Sequence, residues 1–363
     1  MNKPLALLNQ LTPSEFLDQY WQKKPLLIKA AITNFEGLLS PEELAGLACE
    51  EDVQSRIVEY KKGSWHAQHG PFTEDDFAAL PDAPTTEHNW TLLVQSVNHF
   101  LPEASALLQQ FSFIPHARLD DLMVSYAPHG GGVGPHFDSY DVFLLQGCGQ
   151  RLWRISEQDD LSLVEGAPLR ILQNFKTEQE FTLSAGDMLY LPPHVAHWGI
   201  AIGDCMTYSI GFRAPSAQEL AAEFLNYLQE NRTLSGRYAD PDLALQEDPA
   251  EVGGSMVKQV TSILNGLKWN DADVADFLGQ YLSEPKSHIV FDAPKNITLQ
   301  AFEKRMRSQG VQLNFKSQLL KSDRSFYLNG EIVDLDLDSE VLMLKLADLR
   351  KLSSEDLTPP LKM

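Results

Sequence analysis

The chain has 363 residues, enough for two or three domains with cores of their own, and a 43 % hydrophobic fraction places it among globular proteins. Fifty Asp and Glu against 29 Lys and Arg leave a formal net charge of −21, which disfavours sequence-independent binding to nucleic acid or an anionic membrane. Cys49, Cys148 and Cys205 are too scattered for a disulfide framework, and no signal peptide or membrane-spanning run is read, so the expected location is the cytoplasm.

In chain order, Thr12-Pro13-Ser14-Glu15 caps a first helix, and Lys24-Pro25 leads into a strand at Leu26-Leu27-Ile28. A helix is expected over Pro41 to Glu50 and another between Glu87 and Gln110. From about Arg118 the chain turns to short apolar runs broken by Gly, Pro and acidic turns. These runs are Leu122 to Tyr126, Asp141 to Gln146, Arg151 to Ile155, Phe181 to Leu183, Met188 to Leu191 and Met206 to Phe212. The spacing predicts an antiparallel sandwich or barrel and disfavours a parallel α/β sheet.

After Arg213-Ala214-Pro215 the period becomes helical. Ser216 to Glu219 reads as a capping box before Leu220, Phe224, Tyr227 and Leu228; two further amphipathic helices follow, around Met256 to Leu267 and, behind a cap at Asn270, Val274 to Tyr281. The core of such a bundle is thin, so a homodimer made through it is expected. The last segment has a basic helix over Leu299 to Gln309, a hairpin turning at Asn329-Gly330 and a helix from about Ser339 to Leu352. It reads as a winged-helix-like domain, but one with equal numbers of acidic and basic residues, so DNA binding is not expected. The acidity sits elsewhere: residues 1–212 carry a net −15 and residues 213–289 a net −6.

Chemistry concentrates at Gly130-Gly131-Gly132-Val133-Gly134-Pro135-His136-Phe137-Asp138. On an extended strand, residues i and i+2 face the same side, so His136 and Asp138 form two thirds of a metal site. A third ligand must come from a remote strand, and Pro192-Pro193-His194-Val195-Ala196-His197 offers two histidines. Two His and one carboxylate with open positions make the facial set of non-haem Fe(II) oxygenases. Arg151, Arg154 and Arg213 are each candidates for the cation such a site uses to hold the distal carboxylate of 2-oxoglutarate.

Taken together, these segments resemble the JmjC family of 2-oxoglutarate oxygenases, and more narrowly its bacterial ribosomal oxygenases, the arginine hydroxylases of large-subunit ribosomal protein L sixteen. The resemblance rests on Tyr20-Trp21-Gln22-Lys23-Lys24-Pro25-Leu26, Asp120-Asp121-Leu122-Met123, the run from Gly131 to Phe143, Gly186 to Pro193, and Tyr208 to Pro215. It implies a mainly β jelly-roll (a double-stranded β-helix of the cupin/JmjC type) with N-terminal helices, followed by an α-helical bundle and a small α+β winged-helix-like domain. The expected divisions are a catalytic domain over 1–212 with its core at about 116–212, a dimerisation bundle over 213–289 and a C-terminal domain over 290–363. The resemblance further implies Fe(II) on His136, Asp138 and His197, with 2-oxoglutarate and O2 as cosubstrates. His197 is preferred because the family's histidine follows the diproline by four positions. The position of His194 is usually small in the family, and here it is not.

The same resemblance puts Arg151 at the cosubstrate anchor, with Ser209 as a second contact. It implies hydroxylation of an arginine Cβ on a basic ribosomal protein, with release of succinate and CO2. Asp121 and Asp141 are candidates to pair with that guanidinium. Rival readings are a JmjC oxygenase with another target (a histidine or asparagine hydroxylase, or a lysine demethylase), a non-enzymatic metal-binding cupin regulator, and a metal-dependent cupin isomerase.

Overall fold

The computed structural model describes residues 2–81, 84–85, 87–291, 297–323, 325–336 and 339–357. The chain divides into two compact units, Met1–Ala214 with Ser287–Asp292, and Pro215–Lys286 with Ala293–Met363.

The first unit begins with α1 (Pro13–Gln19), whose cap Thr12 and Glu15 exchange hydrogen bonds in a capping box, followed by β1 (Leu26–Ile28). Ser40 caps α2 (Pro41–Ala48) in the same way. Next come β2 (Ser55–Lys61), β3 (Ser64–His69), α3 (Glu74–Ala78), β4 (His88–Val94) and α4 (Pro102–Gln109). The interval from Glu87 to Gln110 therefore holds a strand as well as the expected helix. Strands β2 and β3 lie outside the runs picked out from the sequence, because their polar residues (Arg56, Glu59, Lys61, His66, Gln68) mask the alternation.

The remaining strands are β5 (Leu119–Ala127), β6 (Val142–Ser156), β7 (Gln179–Ser184), β8 (Met188–Leu191) and β9 (Ala196–Phe212). They form one antiparallel sheet in the order β1-β8-β6-β9-β5-β4-β2-β3, with β7 also paired to β6. Two strands expected at Asp141 to Gln146 and Arg151 to Ile155 are one long strand, β6, with register shifts against β9 between Gln146 and Gln150. Gly149 makes this bend possible: its φ is +63°, and a Cβ there would lie 2.0 Å from the Asp204 carbonyl oxygen. The first half of β6 pairs with β8 and the second half with β7, while β9 runs beside both. This folds the sheet over itself as a jelly roll.

An aromatic cluster ties the helices to the sheet: Phe16 meets Tyr190 at 5.0 Å between ring centroids, Tyr190 meets Phe143 at 4.8 Å, and Phe143 meets Phe111 at 4.9 Å. All four are essentially inaccessible to solvent. Burying rings of this size supplies a large share of the unit's hydrophobic stabilisation.

In the second unit Ser216 caps α5 (Ala217–Asn231), and α6 (Gly254–Leu264) and α7 (Asp271–Ser283, capped by Asn270) follow. The C-terminal part comprises α8 (Leu299–Gln309), β10 (Val311–Gln312), β11 (Leu319–Lys321), β12 (Phe326–Leu328), β13 (Glu331–Val333), α9 (Glu340–Leu349) and β14 (Lys351–Leu352). The hairpin turns at Asn329-Gly330, both with positive φ. Helix α7 packs on that hairpin: Tyr327 Oη donates to Asp276 at 2.6 Å and the Gly330 amide to Ser283 Oγ at 3.0 Å. The thin helical stretch thus gains its core from the segment that follows it. No helix among the described residues is long and apolar enough to cross a membrane.

Candidate metal centre and cosubstrate cavity

The glycine-rich run approaches β9 as extended chain rather than as a regular strand. Gly130 and Ala201 donate to backbone carbonyls across the gap, and His136 and His197 form an isolated antiparallel bridge, with N–H···O distances of 2.9 and 2.7 Å. Gly132 is needed for this approach: a Cβ on it would lie 2.3 Å from the Gly199 carbonyl oxygen. Two residues 61 positions apart are thereby locked side by side, with ring centroids 4.2 Å apart.

The His136 and His197 ring nitrogens and the Asp138 carboxylate all come within 4.8 Å of one another. Each imidazole is aimed from behind. Nδ1 of His136 lies 2.9 Å from the Gly134 carbonyl oxygen, and Nδ1 of His197 lies 2.9 Å from that of Val195. A carbonyl accepts only, so Nδ1 donates in each ring and Nε2 is the nitrogen left for a ligand. Burial, reinforced by His136, pushes the His197 pKa down to about 4 against the opposing pull of Asp138, so its ring is neutral at ordinary pH. The Asp138 carboxylate is 3.7 Å from His197 Nε2. Two imidazoles and a carboxylate fit a divalent first-row cation with open positions, and among the described residues this is the one such cluster.

His194 falls outside the cluster. It is exposed, its φ is +67°, and its amide donates to the Asp138 carbonyl oxygen at 2.8 Å. That left-handed conformation favours a residue without a Cβ, which is why a small residue is expected there.

The three candidate ligands open on a cavity of about 440 Å³, whose wall includes Asp121, Ser125, Val142, Leu144, Arg151, Trp153 and Ser209. Arg151 is 5 % exposed; its Nη1 donates to Ser125 Oγ at 3.5 Å, and its Nε and Nη2 have no partner among the described residues. A buried guanidinium with free donors is a site for an anion. The other two arginines are engaged elsewhere. Arg154 pairs with Glu180 at 2.7 Å, and Arg213 reaches Asp120 at 3.4 Å. Ser125, not singled out from the sequence, stands beside Arg151 on the cavity wall, on β5. A serine in an ordinary strand carries no signal that could have found it.

Of the two acids expected at the substrate, Asp121 lines the cavity and accepts from the Ser96 amide at 2.9 Å and hydroxyl at 3.1 Å. Asp141 does not belong to the site. It is fully buried and accepts from Tyr190 Oη at 2.6 Å and Gln22 Nε2 at 2.9 Å, with Arg118 at 3.6 Å, so it fastens the N-terminal segment to the sheet. Its lone pairs are already committed to these neighbours.

Comparison with known proteins agrees with this geometry. Residues 106–220 match the JmjC domain family, and residues 266–361 match the ROXA-like winged helix. The chain is 35 % identical over 331 residues to the ribosomal protein uL16 3-hydroxylase of Escherichia coli, covering 88 % of this chain and 85 % of that one. It is 38 % identical over 247 residues to a probable ribosomal oxygenase of Haemophilus influenzae, covering 67 % and 57 % of the two chains. The structure of the Escherichia coli ribosomal oxygenase YcfD in complex with cobalt and 2-oxoglutarate superposes with a TM-score of 0.79 at 33 % identity, over 95 % of this chain and 91 % of that one. A bridged two-histidine and carboxylate cluster beside a buried free arginine, on a fold and sequence shared along nearly the whole chain, makes this protein a member of the JmjC-domain ribosomal oxygenases.

Proposed function

We propose that the protein is a 2-oxoglutarate- and Fe(II)-dependent dioxygenase that hydroxylates the Cβ of an arginine on ribosomal protein uL16 in the cytoplasm. The observation that carries the reading is one cavity holding both the His136, Asp138 and His197 cluster and the free, buried donors of Arg151. Fe(II) on those three residues, with 2-oxoglutarate and O2, would supply the oxidation that yields succinate, CO2 and a hydroxylated C–H. The chain's own residues bind and orient. Arg151 holds the distal carboxylate of the cosubstrate with Ser125, Ser209 lines the same wall, and Val142, Leu144 and Trp153 keep bulk water out. Asp121 faces the cavity as an acceptor for a substrate guanidinium. The net charge of −15 over residues 1–212 favours approach of a basic polypeptide. The activity named for the Escherichia coli relative, 3-hydroxylation of ribosomal protein uL16, supports the uL16 assignment.

The test is direct. The purified protein incubated with Fe(II), 2-oxoglutarate and uL16 is expected to form succinate and to add the mass of one oxygen to an arginine, and chelation of the metal is expected to stop both. Oxygen on a histidine, loss of a methyl group from lysine, or no succinate at all would reject the reading.

The second unit supports a homodimer. Val257, Val260, Ile263 and Leu264 of α6, with Leu225 of α5 and Trp269, leave apolar side chains 40 to 63 % exposed. Sedimentation at micromolar concentration is expected to give twice the chain mass, and Leu264→Glu to shift it towards the monomer; a compact wild-type monomer would exclude the dimer.

A further inference from the structure

The cavity has a second polar wall, apart from the cluster and from Arg151. On β2 and β4, Arg56, Val58, Thr91 and Leu93 face into it. Thr91 stands directly across from Val58, and Arg56 across from Leu93, so Arg56 and Thr91 are diagonal neighbours on one sheet face. Thr91 is 1 % exposed, yet its Oγ1 has no hydrogen-bond partner, and neither has the buried Nε of Arg56, among the described residues. Buried polar atoms are normally satisfied, so two orphans side by side on a cavity wall mark a place for a ligand. A guanidinium only donates and a threonine hydroxyl can donate, so the missing group is an acceptor oxygen.

Its position argues for the polypeptide rather than the cosubstrate. Leu93 lies between Arg56 and Ser125 in register. Two strand spacings, about 10 Å, therefore separate the Arg56 backbone from the serine that contacts Arg151. Arg56 is on the side of the cavity towards β3, the last strand of the sheet. Building on the proposed reaction, we infer that Arg56 and Thr91 bind a main-chain carbonyl of the substrate polypeptide next to the target residue. Asp121 takes the cationic side chain while the donors on β2 and β4 take the backbone, and these two contacts together fix which C–H faces the metal.

The experiment compares wild type, Arg56→Gln, Arg56→Lys and Thr91→Val, using Fe(II), 2-oxoglutarate and purified uL16. Equilibrium binding of uL16 is measured without oxygen, and KM for uL16 and for 2-oxoglutarate with it. Arg56→Gln is expected to weaken uL16 binding and raise its KM by about tenfold, the loss of one charge-assisted hydrogen bond. KM for 2-oxoglutarate should not move, Arg56→Lys should recover part of the loss, and Thr91→Val should act in the same direction more weakly. If Arg56→Gln binds uL16 as wild type does, or if KM for 2-oxoglutarate rises in parallel, the inference is overturned while the proposed function stands. A wild-type protein that neither binds nor oxygenates uL16 would instead remove the proposed substrate, and this assignment with it.

Discussion

Replacing His197 with alanine is expected to reduce iron-dependent 2-oxoglutarate turnover to background, while replacing His194 is expected to leave it intact. The two histidines are three residues apart, but only His197 faces His136 and Asp138. Changes to groups that merely orient a ligand cost about 10- to 100-fold in metal affinity or activity, and loss of one of three direct donors exceeds that. His194 holds a turn at positive φ, so His194→Gly is expected to raise the melting temperature slightly by relieving backbone strain. Metal titration followed calorimetrically, together with succinate formation, checks both. Turnover lost in His194→Gly and retained in His197→Ala would reverse the assignment.

Arg151→Gln is expected to raise KM for 2-oxoglutarate by about 100-fold or more, since two charge-assisted hydrogen bonds at about 1.5–3 kcal/mol each are removed. Arg151→Lys should recover only part of this, because an ammonium keeps the charge but not the two-pronged geometry. The ligand-free protein should respond in the opposite sense. Its guanidinium is 5 % exposed with two nitrogens unpartnered, a desolvation cost that Arg151→Met removes. That variant is expected to melt at a higher temperature than wild type without ligand, and to lose the stabilisation that 2-oxoglutarate gives the wild type. An unchanged KM in Arg151→Gln would place the anchor elsewhere.

Much of this site could be read from the chain because its signals are local. His136 and Asp138 are two residues apart in a glycine-rich approach, and the diproline marks the turn before His197. Caps at Thr12, Ser216 and Asn270 and the Asn329-Gly330 turn were legible for the same reason, since a cap or a tight turn is settled by three or four neighbouring residues. Other features depended on distant partners. Asp121 and Asp141 look alike in sequence, both acidic beside an apolar run, but one faces the cavity and the other is consumed by Tyr190, Gln22 and Arg118. Strands β2 and β3 are hidden in the sequence because they are polar on one face, and β6 and β9 look like shorter pieces because glycines that usually end a strand here let it bend.

By itself, the sequence determined the candidate donors (His136 and Asp138, with either His194 or His197), the order of β-rich, helical and hairpin segments, and the acidic bias of the first 212 residues. These follow from residue chemistry and from interactions within one turn or one strand. Tertiary structure alone decided that His136 and His197 meet across a backbone bridge, that Arg151 rather than Arg154 or Arg213 carries free donors in the cavity, and that Arg56 and Thr91 line the same cavity. Each of those depends on strand register, and register is a property of paired segments that no single segment contains.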